Sequence, residues 1–210
     1  MAKGGMEREA HFESMVHQAG AARFGMWLFL ASELLLFGAL FALYASYRVM
    51  WPHAFAEGVR ENDAVLGTAN TLLLIFSSFL VALGVHRLAV GKRRSSSLLV
   101  AGAALIGIAF LVIKTHEYMM HFSEGIYPGG RGAYFDRAPA GSAVFFTLYF
   151  TMTGLHGIHV AVGSAVLAFS AVQTRRGRFA PHALEVAALY WHLVDAIWIF
   201  LWPLYYLTRA

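Results

Sequence analysis

Residues 29–41 read "FLASELLLFGALF": one carboxylate, Glu33, stands inside an otherwise apolar run from Phe29 to Phe41. The run sits in a longer apolar segment, about 24–47, and roughly 20 helical residues suffice to cross a hydrocarbon core. Glu33 lies nine positions after Phe24, which at about 1.5 Å per residue puts it ~14 Å deep, near the midplane. An ionised carboxylate is costly there. Glu33 is therefore expected to be protonated, hydrogen-bonded or beside a water-filled cleft. On a helix it shares a face with Leu30 and Phe37, its i−3 and i+4 neighbours, and that face should point into a bundle. Two readings stay open: a proton-handling or lipid-contacting group, and a neutral Glu bonded for structural reasons.

Apolar segments at about 65–88, 98–121, 142–173 and 184–208 repeat the pattern. Of the 210 residues, 59% are hydrophobic and only 13% charged, against about 25% charged in soluble domains. The mean hydropathy is +0.58, and the charges cluster between the segments. The chain therefore reads as an all-α, polytopic membrane bundle with five transmembrane helices. No segment alternates as a barrel strand does. The fourth span is longer than a membrane requires, so it should tilt or project.

Two regions are expected: an N-terminal arm over 1–23 and a five-helix domain over 24–210. The arm carries His11 and His17, is polar, and lacks the apolar core of a signal peptide. Lys3, Arg8, Arg23, Arg87, Lys92, Arg93, Arg94, Arg175, Arg176 and Arg178 fall on one set of alternate loops. Arg48, Arg60, Arg131, Arg137 and Arg209 fall on the other. The excess of cations places the N-terminus inside and the C-terminus outside. "GKRRSSS" (91–97) and "QTRRGRF" (173–179) are then cytoplasmic turns that set topology and touch lipid headgroups. The longer outer loops are 48–64 and 122–141. This distribution explains the formal charge of +4 without nucleic acid. The absence of cysteine excludes disulfides, thiolate clusters and C-x-x-C-H haem attachment in this chain.

Further polar residues stand inside the spans. In "KTHEYMMH" (114–121), Lys114 can snorkel outward, Glu117 can pair with it, and His121 continues the face beside Tyr118. His156 and His159 are i, i+3 on the fourth helix, near Gly154, Gly157 and Gly163, small residues that let helices approach. His192 and Asp195 form another i, i+3 pair, suited to a proton relay, to a ligand histidine, or to a satisfied hydrogen bond. Lys114, His121, Trp191 and Trp198 are expected at lipid or interface positions. His116–His121 and His156–His159 loosely resemble the histidine clusters of membrane desaturases, but no adjacent His-His pair is present. No nucleophile–base pair, phosphate loop or nucleotide fingerprint appears, so neither a catalytic residue nor a metal site is assigned.

Five blocks occur in one order: "RFGMWLFLASELLLFGALFALYASY" (23–47), "NTLLLIFSSF" (70–79), "FLVIKTHEYMMH" (110–121), "TGLHGIHVAVGS" (153–164) and "YWHLVDAIWIFLWPLYYL" (190–207). In that order they resemble subunit III of haem–copper terminal oxidases across nearly all of 23–208. The resemblance implies a non-catalytic core subunit that binds subunit I directly, accompanies subunit II and a small subunit IV, and retains phospholipids. It also admits a supercomplex with an upstream electron donor. Haems and copper would lie in partner subunits, none in this chain, in a bacterial cytoplasmic (inner) membrane. By the same resemblance Glu33 matches the family's "SE" carboxylate, Glu117 its "EY" motif, His156 and His159 its "HG-x-H", and His192 and Asp195 its "WH-x-VD". Many members have seven spans, and this chain resembles the last five. A Glu at position 33 looks more like the cytochrome c oxidase branch, with quinol oxidases and a nitric-oxide-reductase-associated relative as alternatives. A di-iron hydroxylase or desaturase and a transporter are the rival classes.

Overall fold

The computed structural model describes residues 15–208. Long uninterrupted apolar stretches fold as α1 (Met15–Met50), α3 (Ala64–Ala89), α4 (Arg93–Ser123), α5 (Ser142–Arg175) and α6 (Pro181–Trp202). A short α2 (Pro52–Glu61) lies between α1 and α3. Five helical stretches are long and apolar enough to cross a membrane, and no β-strand occurs among the described residues. In hydrocarbon every backbone group must be satisfied within its own segment, which a helix does and an isolated strand does not.

Local chemistry sets the ends. Asp63 caps α3, accepting from the Val65 and Leu66 amides at 2.8 and 3.2 Å. Proline opens both α2 and α6, where its missing N–H has no helical partner to lose. The turn from α3 to α4 is closed by Gly91 at φ +78°, a conformation glycine reaches without strain. After Trp202 the chain passes into a π turn, Pro203–Leu207, because Pro203 cannot donate to the preceding turn.

Helices α3, α4, α5 and α6 pack as a ring of four, each against two neighbours, and α1 lies outside it against α5 and α6. Helix α2 packs on α5 and on the π turn. The core at that end is aromatic: Tyr44, Phe55, Phe145, Phe146, Tyr149, Tyr205 and Tyr206 are all buried. Many of these rings meet edge to face, as in Phe55–Phe145 at 5.3 Å and Tyr44–Tyr205 at 5.3 Å. Apolar side chains such as Leu35, Leu72, Leu105 and Phe169 face outward. That is the lipid side of a membrane bundle, where interior packing and internal hydrogen bonds, and not water exclusion, hold helices together.

The structure differs from the sequence reading at three points. The helices overrun the expected spans, so α1 already includes residues 15–23 of the expected arm; residues 1–14 lie outside the described residues. Loop 48–64 contains α2, whose buried Ala54, Phe55, Gly58 and Val59 form one face. Of the three glycines near His156 and His159, only Gly163 sits at a close approach: a Cβ there would lie 2.7 Å from the Trp191 ring.

Candidate functional site

The buried polar groups gather in three places along the bundle. The first is where α4, α5 and the π turn meet. Lys114 and Glu117 form an ion pair at 3.2 Å, with both side chains buried. Lys114 Nζ donates to the hydroxyls of Tyr149 (2.8 Å) and Tyr206 (2.6 Å). Both hydroxyls in turn donate to Glu117 Oε1 at 2.7 Å. Each tyrosine thus accepts from the ammonium and donates to the carboxylate, closing a circuit that satisfies a buried charge pair. The Tyr149 ring lies 4.5 Å from Nζ, so the ammonium also meets an aromatic face.

One turn further on, His121 Nε2 lies 2.9 Å from Asn62 Oδ1, and the Asn62 amide donates to the Tyr205 carbonyl at 2.9 Å. This pair fastens the end of α2 to the bundle.

The second place joins α1 to α5. Glu33 Oε2 lies 2.9 Å from His159 Nε2, and each side chain is only 14% exposed. The other ring nitrogen, Nδ1, lies 2.8 Å from the Leu155 carbonyl, which can only accept, so Nδ1 carries a hydrogen. One further proton must then sit between Nε2 and the carboxylate. As expected, Glu33 shares its face with buried Leu30 and Phe37, and Phe37 stands edge-on to the His159 ring at 5.6 Å.

The third place lies between α3 and α6. His192 Nδ1 sits 2.6 Å from the Ser78 hydroxyl. Asp195 is buried, and neither of its oxygens has a hydrogen bond to a described residue. His192 therefore pairs with Ser78 and not with Asp195.

His156 is fully buried, and both its nitrogens lack a hydrogen-bond partner among the described residues. Its ring stacks on Trp198 at 5.1 Å and meets Phe110 at 5.5 Å. It does not pair with His159. No group of three or more His, Asp or Glu side chains among the described residues is arranged to hold a metal ion.

The expected lipid or interface positions of Lys114, His121, Trp191 and Trp198 are corrected: all four are buried in the bundle. Lys114 has internal partners for its ammonium and does not snorkel. Each indole N–H finds a hydroxyl on α3, Trp191 donating to Ser77 and Trp198 to Thr71, both at 3.0 Å. A satisfied indole has no need of the headgroup region. Sequence reasoning missed Tyr149, Tyr206, Asn62 and Ser78. The signal that could have found them is stoichiometric: a buried Lys–Glu pair requires further donors and acceptors, and hydroxyl-bearing residues lay at the matching ends of the neighbouring spans.

Outside the spans, Glu57, Glu61, Glu124 and Asp136 surround an open cavity of about 500 Å³ with Tyr134 and Arg137. Burial, then neighbouring Glu124 and Glu57, raise the Glu61 carboxyl above its ordinary value, against a hydrogen bond from Tyr134. Burial and the same carboxylates push the Tyr134 phenol up to about 12. Near the opposite end of α1, Arg23 pairs with Glu185 of α6.

The molecule is thus a multi-pass helical membrane protein whose buried polar side chains tie its helices together, with Glu33–His159 joining α1 to α5. The family model described as cytochrome c oxidase subunit III matches residues 5–209, and the chain belongs to that family, subunit III of the haem–copper oxidases. It is 30% identical over 188 residues to cytochrome c oxidase subunit 3 of Synechocystis sp., covering 88% of this chain and 74% of the relative. It is 27% identical to quinol oxidase subunit 3 of Bacillus spizizenii, covering 96% of this chain and 97% of that protein. A probable quinol oxidase subunit 3 of Staphylococcus aureus is 26% identical, with 93% and 92% covered.

Proposed function

We propose that this chain is the non-catalytic subunit III of a proton-pumping cytochrome c oxidase in a bacterial inner membrane, with its N-terminus inside and C-terminus outside. It binds subunit I, retains phospholipid and supports proton uptake, while haems and copper belong to partner subunits. The observation that carries this reading is the Glu33–His159 contact, a proton-sharing pair on the joint between α1 and the bundle. Such a pair adjusts local packing and hydration beside a partner. Lipid retention is supported by an apolar groove of about 690 Å³ between α4 and α5, with Arg175 and Arg176 at one end. Methylene-lined walls ending at two cations suit acyl chains and an anionic headgroup.

A second reading, subunit III of a quinol oxidase, is supported by the 27% identity to the Bacillus spizizenii quinol oxidase subunit 3. The experiment purifies the tagged chain with its natural partners in mild detergent, records a reduced-minus-oxidised spectrum, and supplies reduced cytochrome c or a quinol. Haem bands with turnover on cytochrome c support the first reading, and turnover on quinol alone supports the second. A colourless chain without a large partner overturns both.

A further inference from the structure

The His192 ring is satisfied on one side only. Its Nδ1 is taken by the Ser78 hydroxyl at 2.6 Å, while Nε2 has no hydrogen-bond partner among the described residues. Unlike the two nitrogens of His156, Nε2 is not sealed inside the bundle, and the ring is half-buried. It opens on the outer face of α6. One and two turns further along that face stand Ala196 and Ile199, both exposed, and on α3 the exposed Ile75 and Ala82 lie a turn to either side of Ser78. His192 is eleven positions from the start of the span Pro181–Leu207 and fifteen from its end, and Ser78 is eleven from the end of Ala64–Ala89. At about 1.5 Å per residue the imidazole stands ~16 Å from the nearer end, beyond the reach of headgroups and water. A neutral imidazole has one N–H and one bare nitrogen. Whichever of these Nε2 is, acyl chains offer it neither acceptor nor donor, and an unanswered polar atom in hydrocarbon is costly.

The surface around this atom is concave. Helix α1 stands outside the four-helix ring and packs on α6, whose ring neighbours are α3 and α5. The outer face of α6 is therefore the floor of a furrow with α1 and α3 as its walls. On the α1 side the floor drops into an apolar hollow of about 220 Å³ bordered by Gly38 and Ala196. A Cβ on Gly38 would meet nothing within 4 Å. Small residues on such a face let a further helix backbone come close.

We infer that the furrow on α6 between α1 and α3 seats a transmembrane helix of a neighbouring subunit, which presents a Ser or Thr hydroxyl or an Asn or Gln amide to His192 Nε2. Each of those groups both donates and accepts, so each answers either tautomer. An acyl chain fills the hollow but leaves Nε2 unmet, and that difference selects a helix. Such a partner presupposes the oxidase reading of this chain; what is added is the face and the contact that hold it. The test uses the assembled complex in mild detergent, with a diazirine-bearing amino acid of similar size in place of Ile199. Illumination and mass spectrometry then map the adducts. The expected adduct lies on a transmembrane segment of another subunit, within two turns of a Ser, Thr, Asn or Gln. In parallel, His192→Leu should lose the chain from the complex about three- to tenfold faster than wild type. His192→Gln, which keeps a donor and an acceptor, should restore retention, and Ser78→Ala, which removes only the internal bond, should leave it near wild type. Adducts with lipid alone or with a second copy of this chain, in a preparation that still holds the other subunits, overturn the inference and leave the oxidase reading standing. Equal loss with His192→Leu and Ser78→Ala does the same. A preparation without any other subunit overturns the oxidase reading and the inference with it.

Discussion

His159 holds Glu33 through Nε2 at 2.9 Å while its Nδ1 is held by the carbonyl of Leu155 one turn earlier on the same helix. Because the carbonyl takes the Nδ1 hydrogen, acid and base share one proton, either as carboxylic acid and imidazole or as carboxylate and imidazolium. A lone intramembrane carboxylate is thereby converted into a neutral joint between α1 and α5.

Glu33→Gln keeps a hydrogen bond to Nε2 but has no proton to exchange. The oxidase carrying it is expected to assemble, turn over and pump normally. Glu33→Leu leaves Nε2 unpaired and should lower the thermal stability of the complex by about 1–3 kcal/mol. Proton pumping in reconstituted vesicles and unfolding in detergent check the two; abolished pumping in an assembled Glu33→Gln complex contradicts the joint role.

Lys114→Met strands the Glu117 carboxylate among two tyrosines. Breaking a buried pair on one side costs about 3–5 kcal/mol, whereas removing both charges often restores most of it. The Lys114→Met, Glu117→Leu double variant should accordingly be more stable than either single variant. A double-mutant cycle by thermal unfolding checks this, and strictly additive losses would sink the closed-circuit account.

Gly163→Ala places a methyl 2.7 and 2.8 Å from the Trp191 ring. The indole is fixed by its bond to Ser77, so α5 and α6 must separate, at about 1–3 kcal/mol. Gly38→Ala meets nothing within 4 Å and should be neutral or stabilising by up to ~1 kcal/mol through helix propensity. Unfolding temperatures of the two variants, measured side by side, should move in different directions.

The acidic cavity sets a pH dependence. Glu61 is raised in the folded protein above its ordinary value of 4.5, so the folded state holds that proton more tightly than the unfolded one. Its stabilising effect is full below 4.5 and is lost as pH rises through the raised value. Glu61→Gln should remove this slope, so its advantage over the wild type should grow with rising pH. Tyr134 acts in the same sense higher up, between its ordinary 10 and about 12. Melting temperatures across the pH range check both, and parallel curves for wild type and Glu61→Gln would refute the first.

The five spans were legible because crossing a membrane demands length and apolarity, both of which are written locally. The inward face of Glu33 was legible for the same reason, since Leu30 and Phe37 lie within two turns. Its partner was not, because His159 is 126 positions away and two spans intervene. Lys114 misled because its place near a helix end suits snorkelling equally well; only the approach of Tyr149 and Tyr206 turns the ammonium inward. Trp191 and Trp198 misled similarly, as the hydroxyls that satisfy them belong to α3. Helix α2 was within reach: Pro52 at its start and Ala54, Phe55, Gly58 and Val59 at helical spacing spell an amphipathic turn.

Tyr206, which completes the circuit around Lys114 and Glu117, stands in the π turn after α6, so it is synthesised long after the charges it serves. While a ribosome is still making α6, a lysine and a glutamate already inside the bilayer have only each other and Tyr149. A chain lacking that turn leaves the ion pair one donor and one acceptor short. The π turn thus completes, late in synthesis, the hydrogen bonding of a charge pair laid down much earlier in α4.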